Sequence, residues 1–433
     1  MLLAFLALAL SSCASGPAEP PSAHPVGAGA PAVPPPAVRT GAQRLVDSDF
    51  AALAALTPAR APRVGFVTNH TARVDTADGG PAHVIDRMMA SDAVELAALF
   101  GPEHGIRGDA EAGATVDDDA DDVPVYSLYG SNKKPTGAQT RGLDVLVFDM
   151  QDVGARFYTY ISTMGYAMQA AAEAGIPFVV LDRPNPIGDR AEGWTLEASH
   201  TSFVGLYPIP VTHGLTVGEL ARAIQGEGWL DGLADLDLHV VEMEGYARGQ
   251  AWEDTGLAWV PPSPNIPDVE TARIYPGAAF FEGTTESEGR GTLDPFKLVG
   301  AVGVDAERIA ADLNARGLPG ARFEAEAFVP RDLPGQATNP KGEGETVSGI
   351  RTVVTDARAF EPVAVGVHLL DAVYRAAGAE RSFFKPDWLA KLAGTRRLHA
   401  ALRRGDAPEA ILASWADEAD AFRQLAEPYR LYE

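Results

Sequence analysis

The feature that most constrains the fold is a recurring unit: a short, continuous apolar run that ends abruptly in polar residues and is followed by a helical stretch. Arg63-Val64-Gly65-Phe66-Val67-Thr68 is the first such run and ends in Asn69-His70. Residues 94–100 form the second, ending in Gly101-Pro102-Glu103-His104-Gly105. Residues 123–128 give a short third, and 143–148 a strongly apolar fourth that ends in Asp149. Pro177-Phe178-Val179-Val180-Leu181 is the fifth, ending in Asp182-Arg183-Pro184-Asn185, and residues 236–241 form a sixth. Helical stretches fall at 83–90, 167–174 and 216–225. In the last, Thr216 and Glu219 stand in N-cap and N3 positions of a capping box. Strands without polar alternation are buried on both faces, and strands alternating with helices form parallel sheets. This predicts an α/β fold: a Rossmann-like, mostly parallel sheet domain over 42–255. From about Trp252 the pattern becomes Pro- and Gly-rich and irregular, which predicts a smaller α+β C-terminal domain over 256–433.

The N-terminus reads differently. Residues 2–10 are an apolar run too short to span a bilayer and right for a signal h-region. It ends Leu10-Ser11-Ser12-Cys13, like a bacterial lipoprotein processing site, with Cys13 as the lipidated residue. The absence of Lys or Arg before Leu2 departs from that pattern. Residues 1–13 are thus expected to be a lipoprotein-type signal segment. Residues 14–41, rich in Pro and Ala, are expected to be a disordered tether. The expected location is the cell envelope, periplasmic or anchored to the outer membrane, with secretion as the alternative. Any membrane contact would run through that N-terminal lipid anchor. Cys13 is the sole cysteine, so no intramolecular disulfide can form. A formal net charge of −24 repels phosphate backbones, which argues against nucleic acid as a partner.

In open α/β sheets, ligands bind outside the carboxyl ends of the strands. There the chain collects Asn69 and His70; Glu103 and His104; Asp149, Gln151 and Asp152; and Asp182, Arg183 and Asn185. Any one of them could instead be a helix cap or a polar loop residue. Glu103 is the sharpest candidate. A carboxyl held in a Pro-Gly turn at the end of an apolar strand is desolvated, which suits it to general-acid work. A second cluster, Phe281-Glu282-Gly283-Thr284-Thr285-Glu286-Ser287-Glu288-Gly289-Arg290-Gly291-Thr292, reads as a binding loop. Pro261-Pro262-Ser263-Pro264-Asn265 reads as a stiff wall or a linker. The acidic run 109–122 lacks the calcium-loop signature and reads as a solvated loop. No His-Glu-x-x-His, Gly-x-Ser-x-Gly or dinucleotide glycine motif occurs, so no metal and no cofactor is expected.

At these same residues the chain resembles the bacterial exo-β-N-acetylmuramidase (NamZ-like) family. The carriers are residues 101–108, 148–160, 181–186, 262–265 and 287–292, and the resemblance runs from about Gln43 to Glu433. It implies a Rossmann-like domain joined to a smaller C-terminal domain with the site in the cleft between them. It also implies release of N-acetylmuramic acid from the non-reducing end of peptidoglycan-derived glycans, with Glu103 as the catalytic residue. Arg156 and Tyr158 match the same motifs. We assign Glu103, His104, Asp149, Asp152 and Glu288 to catalysis. Asn69, His70, Gln151, Arg156, Tyr158, Asp182, Arg183, Asn185, Glu282 and Arg290 are assigned to substrate binding. Arg156, Arg183 and Arg290 are the candidates for the lactyl carboxylate, because guanidinium matches its planar fork. Two alternatives remain: a catalytically inactive lipoprotein that binds cell-wall sugars, and a metal-assisted hydrolase using His70, His104, Asp149 and Asp152.

Overall fold

Six strands form the central sheet: β1 (Arg63–Thr68), β2 (Glu95–Gly101), β3 (Val125–Ser127), β4 (Val145–Asp149), β5 (Phe178–Leu181) and β6 (Leu238–Val241). These come from a computed structural model, which describes residues 37–76, 79–103, 105–106, 123–378 and 382–433. The strand order is β6-β5-β4-β1-β2-β3, and every pairing is parallel. The order reverses between β1 and β4, where Thr68 stands opposite Asp149. That switch is the Rossmann-like arrangement expected from the alternating apolar runs.

The sheet is covered on both faces because successive side chains point to opposite sides. Val67, Phe100, Leu146, Phe148, Phe178 and Val180 enter one apolar cluster, joined by α3 (Tyr160–Ala174) and α4 (Val217–Gly226). Val64, Phe66, Leu99, Val145, Val147, Val179 and Leu181 enter the other, joined by α1 (Gly41–Asp47) and α2 (Val84–Met89). Thr216 caps α4 through the expected capping box.

Two differences from the sequence reading have physical causes. Helix α3 begins seven residues before the expected start, because it is buried nearly all round and so shows no amphipathic period. Residues 37–41, placed in the tether by composition, are packed. Val38 N–H donates to Thr255 O at 2.8 Å, Arg39 N–H donates to Glu244 O at 2.9 Å, and Thr40 caps α1. Gly41 approaches the Val241 carbonyl so closely that no Cβ fits there.

The C-terminal part is smaller. It holds an antiparallel sheet, β7 (Leu298–Ala301), β8 (Ala321–Phe328) and β9 (Val347–Val354), in the order β7-β9-β8. Helices α5 (Val269–Ala278), α6 (Ala306–Ala315), α7 (Pro362–Ala377) and α8 (Pro386–Ala393) accompany it. Ala37–Glu433 forms one compact unit. Among the described residues no helix is long and apolar enough to cross a membrane.

Candidate active site

Glu103 lies two residues beyond β2, half-buried, at the N-terminus of α3. Thr159 occupies the N-cap position of that helix, yet makes no side-chain cap bond. Its hydroxyl donates instead to Glu103 Oε2 at 2.7 Å. A carboxylate there also meets the positive end of a 15-residue helix. The Tyr129 phenol is hydrogen-bonded to Glu103 as well. Burial first, and the Glu103 charge second, raise its pKa, so it stays protonated as a donor.

The cleft in front of Glu103 has a volume of about 290 Å³. One wall comes from the sheet domain: Tyr129, Phe157–Tyr160 and Phe203–Val204. The other comes from the C-terminal part: Ser263, Asn265, Tyr275, Glu282, Arg290, Phe296, Trp388 and Leu392. The stiff Pro261–Asn265 segment is a wall. Tyr160 Oη donates to Pro262 O at 2.5 Å, His70 Nε2 lies 2.6 Å from Pro261 O, and Asn265 Nδ2 donates to Gln336 O at 2.7 Å. The buried Asn265 Oδ1 has no hydrogen-bond partner among the described residues, so it offers an acceptor to a ligand. Tyr158 and Tyr160 are edge-on at 4.8 Å, and Tyr275 lies 6.0 Å from Tyr158. Arg290 Nη2 donates to Glu282 Oε1 at 2.8 Å, and its guanidinium lies 5.0 Å from the Phe296 ring centroid. Desolvation opposes the Arg290 charge, but Glu282 and Glu288 outweigh it and raise its pKa.

Of the residues selected from sequence, Glu103, Tyr158, Glu282 and Arg290 line this cleft together. Glu288 is buried behind the pair, with Oε1 3.8 Å from Arg290 Nε and Oε2 2.7 Å from Lys341 Nζ. Asp152 is buried, its pKa pushed up to about 7 by desolvation against bonds from the Gly154 and Val153 amides. Its charge acts on Tyr158, Tyr160 and Tyr275.

Most of the remaining selected residues are engaged within the protein. Asp149 is fully buried in a two-pronged ion pair with Arg183, one arm of which is 2.9 Å. Asp182 accepts from Gly218 N, Thr216 Oγ1 and Tyr432 Oη at 2.6–2.8 Å, tying β5 to α4 and the C-terminus. Burial raises its pKa to about 6. Asn185 donates to Leu215 O and accepts from Ile187 N–H, as a turn residue does. Asn69 Oδ1 accepts both the amide and the hydroxyl of Thr71. Arg156 is fully buried and donates to the carbonyls of Trp194, Ile209 and Leu392 at 2.8 Å. Desolvation lowers its pKa to about 9. A guanidinium so enclosed reaches no substrate, which removes Arg156 from the lactyl candidates. Gln151 and Arg183 face a different, larger cavity of about 590 Å³ beside Gln43, Arg73 and Trp252. We place the chemistry in the smaller cleft, because the hydroxyl-gripped carboxyl and the arginine–carboxylate pair are there.

His104, the acidic run 109–122 and Cys13 lie outside the described residues. Among the described residues, no group of three or more His, Cys, Asp or Glu side chains is placed to hold a metal ion. Tyr129, Thr159, Asn265, Tyr275 and Trp388 were missed from sequence. Only Thr159 and Asn265 carried a signal, as members of the quoted motifs.

Two family models cover nearly all of the described chain: the N-terminal model of exo-β-N-acetylmuramidase NamZ matches residues 64–270, and the C-terminal model matches 273–432. The peptidoglycan β-N-acetylmuramidase NamZ of Bacillus subtilis is 42% identical over 374 residues, covering 86% of this chain and 87% of that protein. Two DUF1343 family crystal structures from Bacteroides fragilis are similar, with TM-scores of 0.81 and 0.71 at 34% and 30% identity. Each match covers 92% of this chain and 99% of the other. The chain belongs to the exo-β-N-acetylmuramidase NamZ family.

Proposed function

We propose that this chain is an exo-acting glycoside hydrolase that releases N-acetylmuramic acid from the non-reducing end of peptidoglycan fragments. The carrying observation is the Glu103 carboxyl, held by Thr159 at 2.7 Å and by Tyr129 in a cleft that also contains the Arg290–Glu282 pair. A cleft of about 290 Å³ is at the small end of ligand pockets and suits one substituted sugar ring.

Glu103 gives its proton to the glycosidic oxygen as the bond to the leaving sugar breaks. Arg290 reads the lactyl carboxylate, and Glu282 holds the guanidinium fork in place. Asp149 and Glu288 are occupied by cationic partners, and Asp152 is buried, so none of the three lines the cleft. We therefore assign attack on the anomeric carbon to the substrate's own acetamido oxygen, a route open to 2-acetamido sugars. Water then opens the resulting ring with Glu103 as base.

The test is product analysis on an N-acetylmuramyl-β-1,4-N-acetylglucosamine disaccharide. Release of free N-acetylmuramic acid, unchanged by chelator, is expected. Binding without turnover would favour the sugar-binding reading, and loss with chelator the metal-assisted one.

The N-terminal pattern around Cys13 supports placement in the cell envelope through a lipid anchor.

A further inference from the structure

We propose that Trp388 is the stacking platform for the leaving sugar, the ring on the far side of the bond that Glu103 protonates. This rests on the glycosidase reading and adds the second sugar site. An exo-acting enzyme buries the terminal ring and lets the rest of the glycan leave through the mouth. Phe157, Tyr158, Tyr160, Tyr275 and Phe296, all lining the cleft, are buried and belong with the enclosed ring. Trp388 lines the same cleft but is 37% exposed.

The other two partly exposed aromatics have their surfaces engaged. Phe203 is stacked on Tyr166 with rings 8° from parallel, and Lys133 Nζ lies 4.6 Å from its centroid. Tyr129 holds Glu103. Among the described residues no aromatic ring stacks on Trp388, and Lys391 Nζ, one turn on in α8, lies 5.5 Å from its centroid, farther than Lys133 Nζ lies from Phe203. A pyranose presents a face of C–H groups, which suits the electron-rich face of an indole.

The platform is rigid relative to the catalytic loop. Helix α8 packs on the segment that carries Glu282, where a Cβ on Gly283 would lie 2.7 Å from Leu389 Cα. Its C-terminal turn is tied down by Arg156, which donates to Leu392 O. The backbone that carries Trp388 is therefore held against the segment that carries Glu282.

The experiment compares wild type, Trp388→Ala and Trp388→Phe by kcat/KM on the N-acetylmuramyl-N-acetylglucosamine disaccharide. The inhibition constant of free N-acetylmuramic acid, which fills only the enclosed site, is measured alongside. Trp388→Ala should lower kcat/KM about tenfold, the size of one stacking contact, while the inhibition constant stays within about twofold. Trp388→Phe should fall between. Unchanged kcat/KM in Trp388→Ala overturns the proposal. So does an equal loss in both measurements, which would mean that the indole supports the whole cleft. A wild-type enzyme that binds the sugar but cleaves no disaccharide would instead sink the glycosidase reading, and this proposal with it.

Discussion

Replacing Glu103 with Gln separates proton donation from everything else the side chain does. The amide keeps the volume and an acceptor oxygen for the Thr159 hydroxyl, now 2.7 Å from Oε2. It cannot accept through both oxygens, so the second hydroxyl contact weakens. A hydrogen bond to a charged acceptor contributes about 1.5–3 kcal/mol and a neutral one about 1. Glu103 is half-buried, which places the total near 1–2 kcal/mol, too little to unfold a chain of this size. The rate effect is far larger: losing a general acid costs about 10²–10⁴. Turnover is followed by release of N-acetylmuramic acid from the disaccharide and, in parallel, from a nitrophenyl N-acetylmuramide. The nitrophenolate needs less protonation, so its loss should be smaller by at least about tenfold. Near-wild-type turnover of the disaccharide would refute Glu103 as the acid. Equal losses on both aglycones would also refute it, since the carboxylate would then be acting by charge or position alone.

Three further outcomes are expected. Arg290→Lys keeps a charge beside Glu282 but loses the planar fork, so the preference for muramides over N-acetylglucosaminides in kcat/KM should narrow about tenfold. An unchanged ratio would remove Arg290 from lactyl recognition. Glu192 caps the N-terminus of α7 and is pushed up to about 7 by burial. Its contribution to stability is therefore full below about pH 4.5 and is lost as pH rises through 7. Relative to wild type, Glu192→Gln should gain up to about 3 kcal/mol at pH 8 over its value at pH 4.5 in denaturant titrations, and a pH-independent difference would contradict the assignment. Cys13→Ser should move the protein from the membrane to the soluble fraction, and unchanged sedimentation would rule out the lipid anchor.

The sheet was legible because burial on both faces leaves a local mark. The inner strands β1, β4 and β5 are apolar and buried almost throughout; the edge strands β3 and β6 are only partly buried, yet all six were found within about two residues from neighbours alone. Its strand-end loops were legible for the same reason, since the polar residues begin where the apolar run stops. Which of those polar residues face a ligand was a different matter. Asp149 and Asp182 look alike in sequence, each the acid that terminates or directly follows a strand. The first is consumed by Arg183, 34 positions away, and the second by Thr216 and Tyr432, 34 and 250 positions away. Arg156 stands in a motif directly before the cleft-lining Phe157 and Tyr158, yet its partners are carbonyls at 194, 209 and 392. Whether a charge is satisfied inside the protein or left to meet a substrate depends on partners that only tertiary packing supplies. The same holds for the far wall of the cleft. Tyr275 and Trp388 sit in helices with no motif around them, and only the packing of α5 and α8 against the sheet domain brings their rings to Glu103.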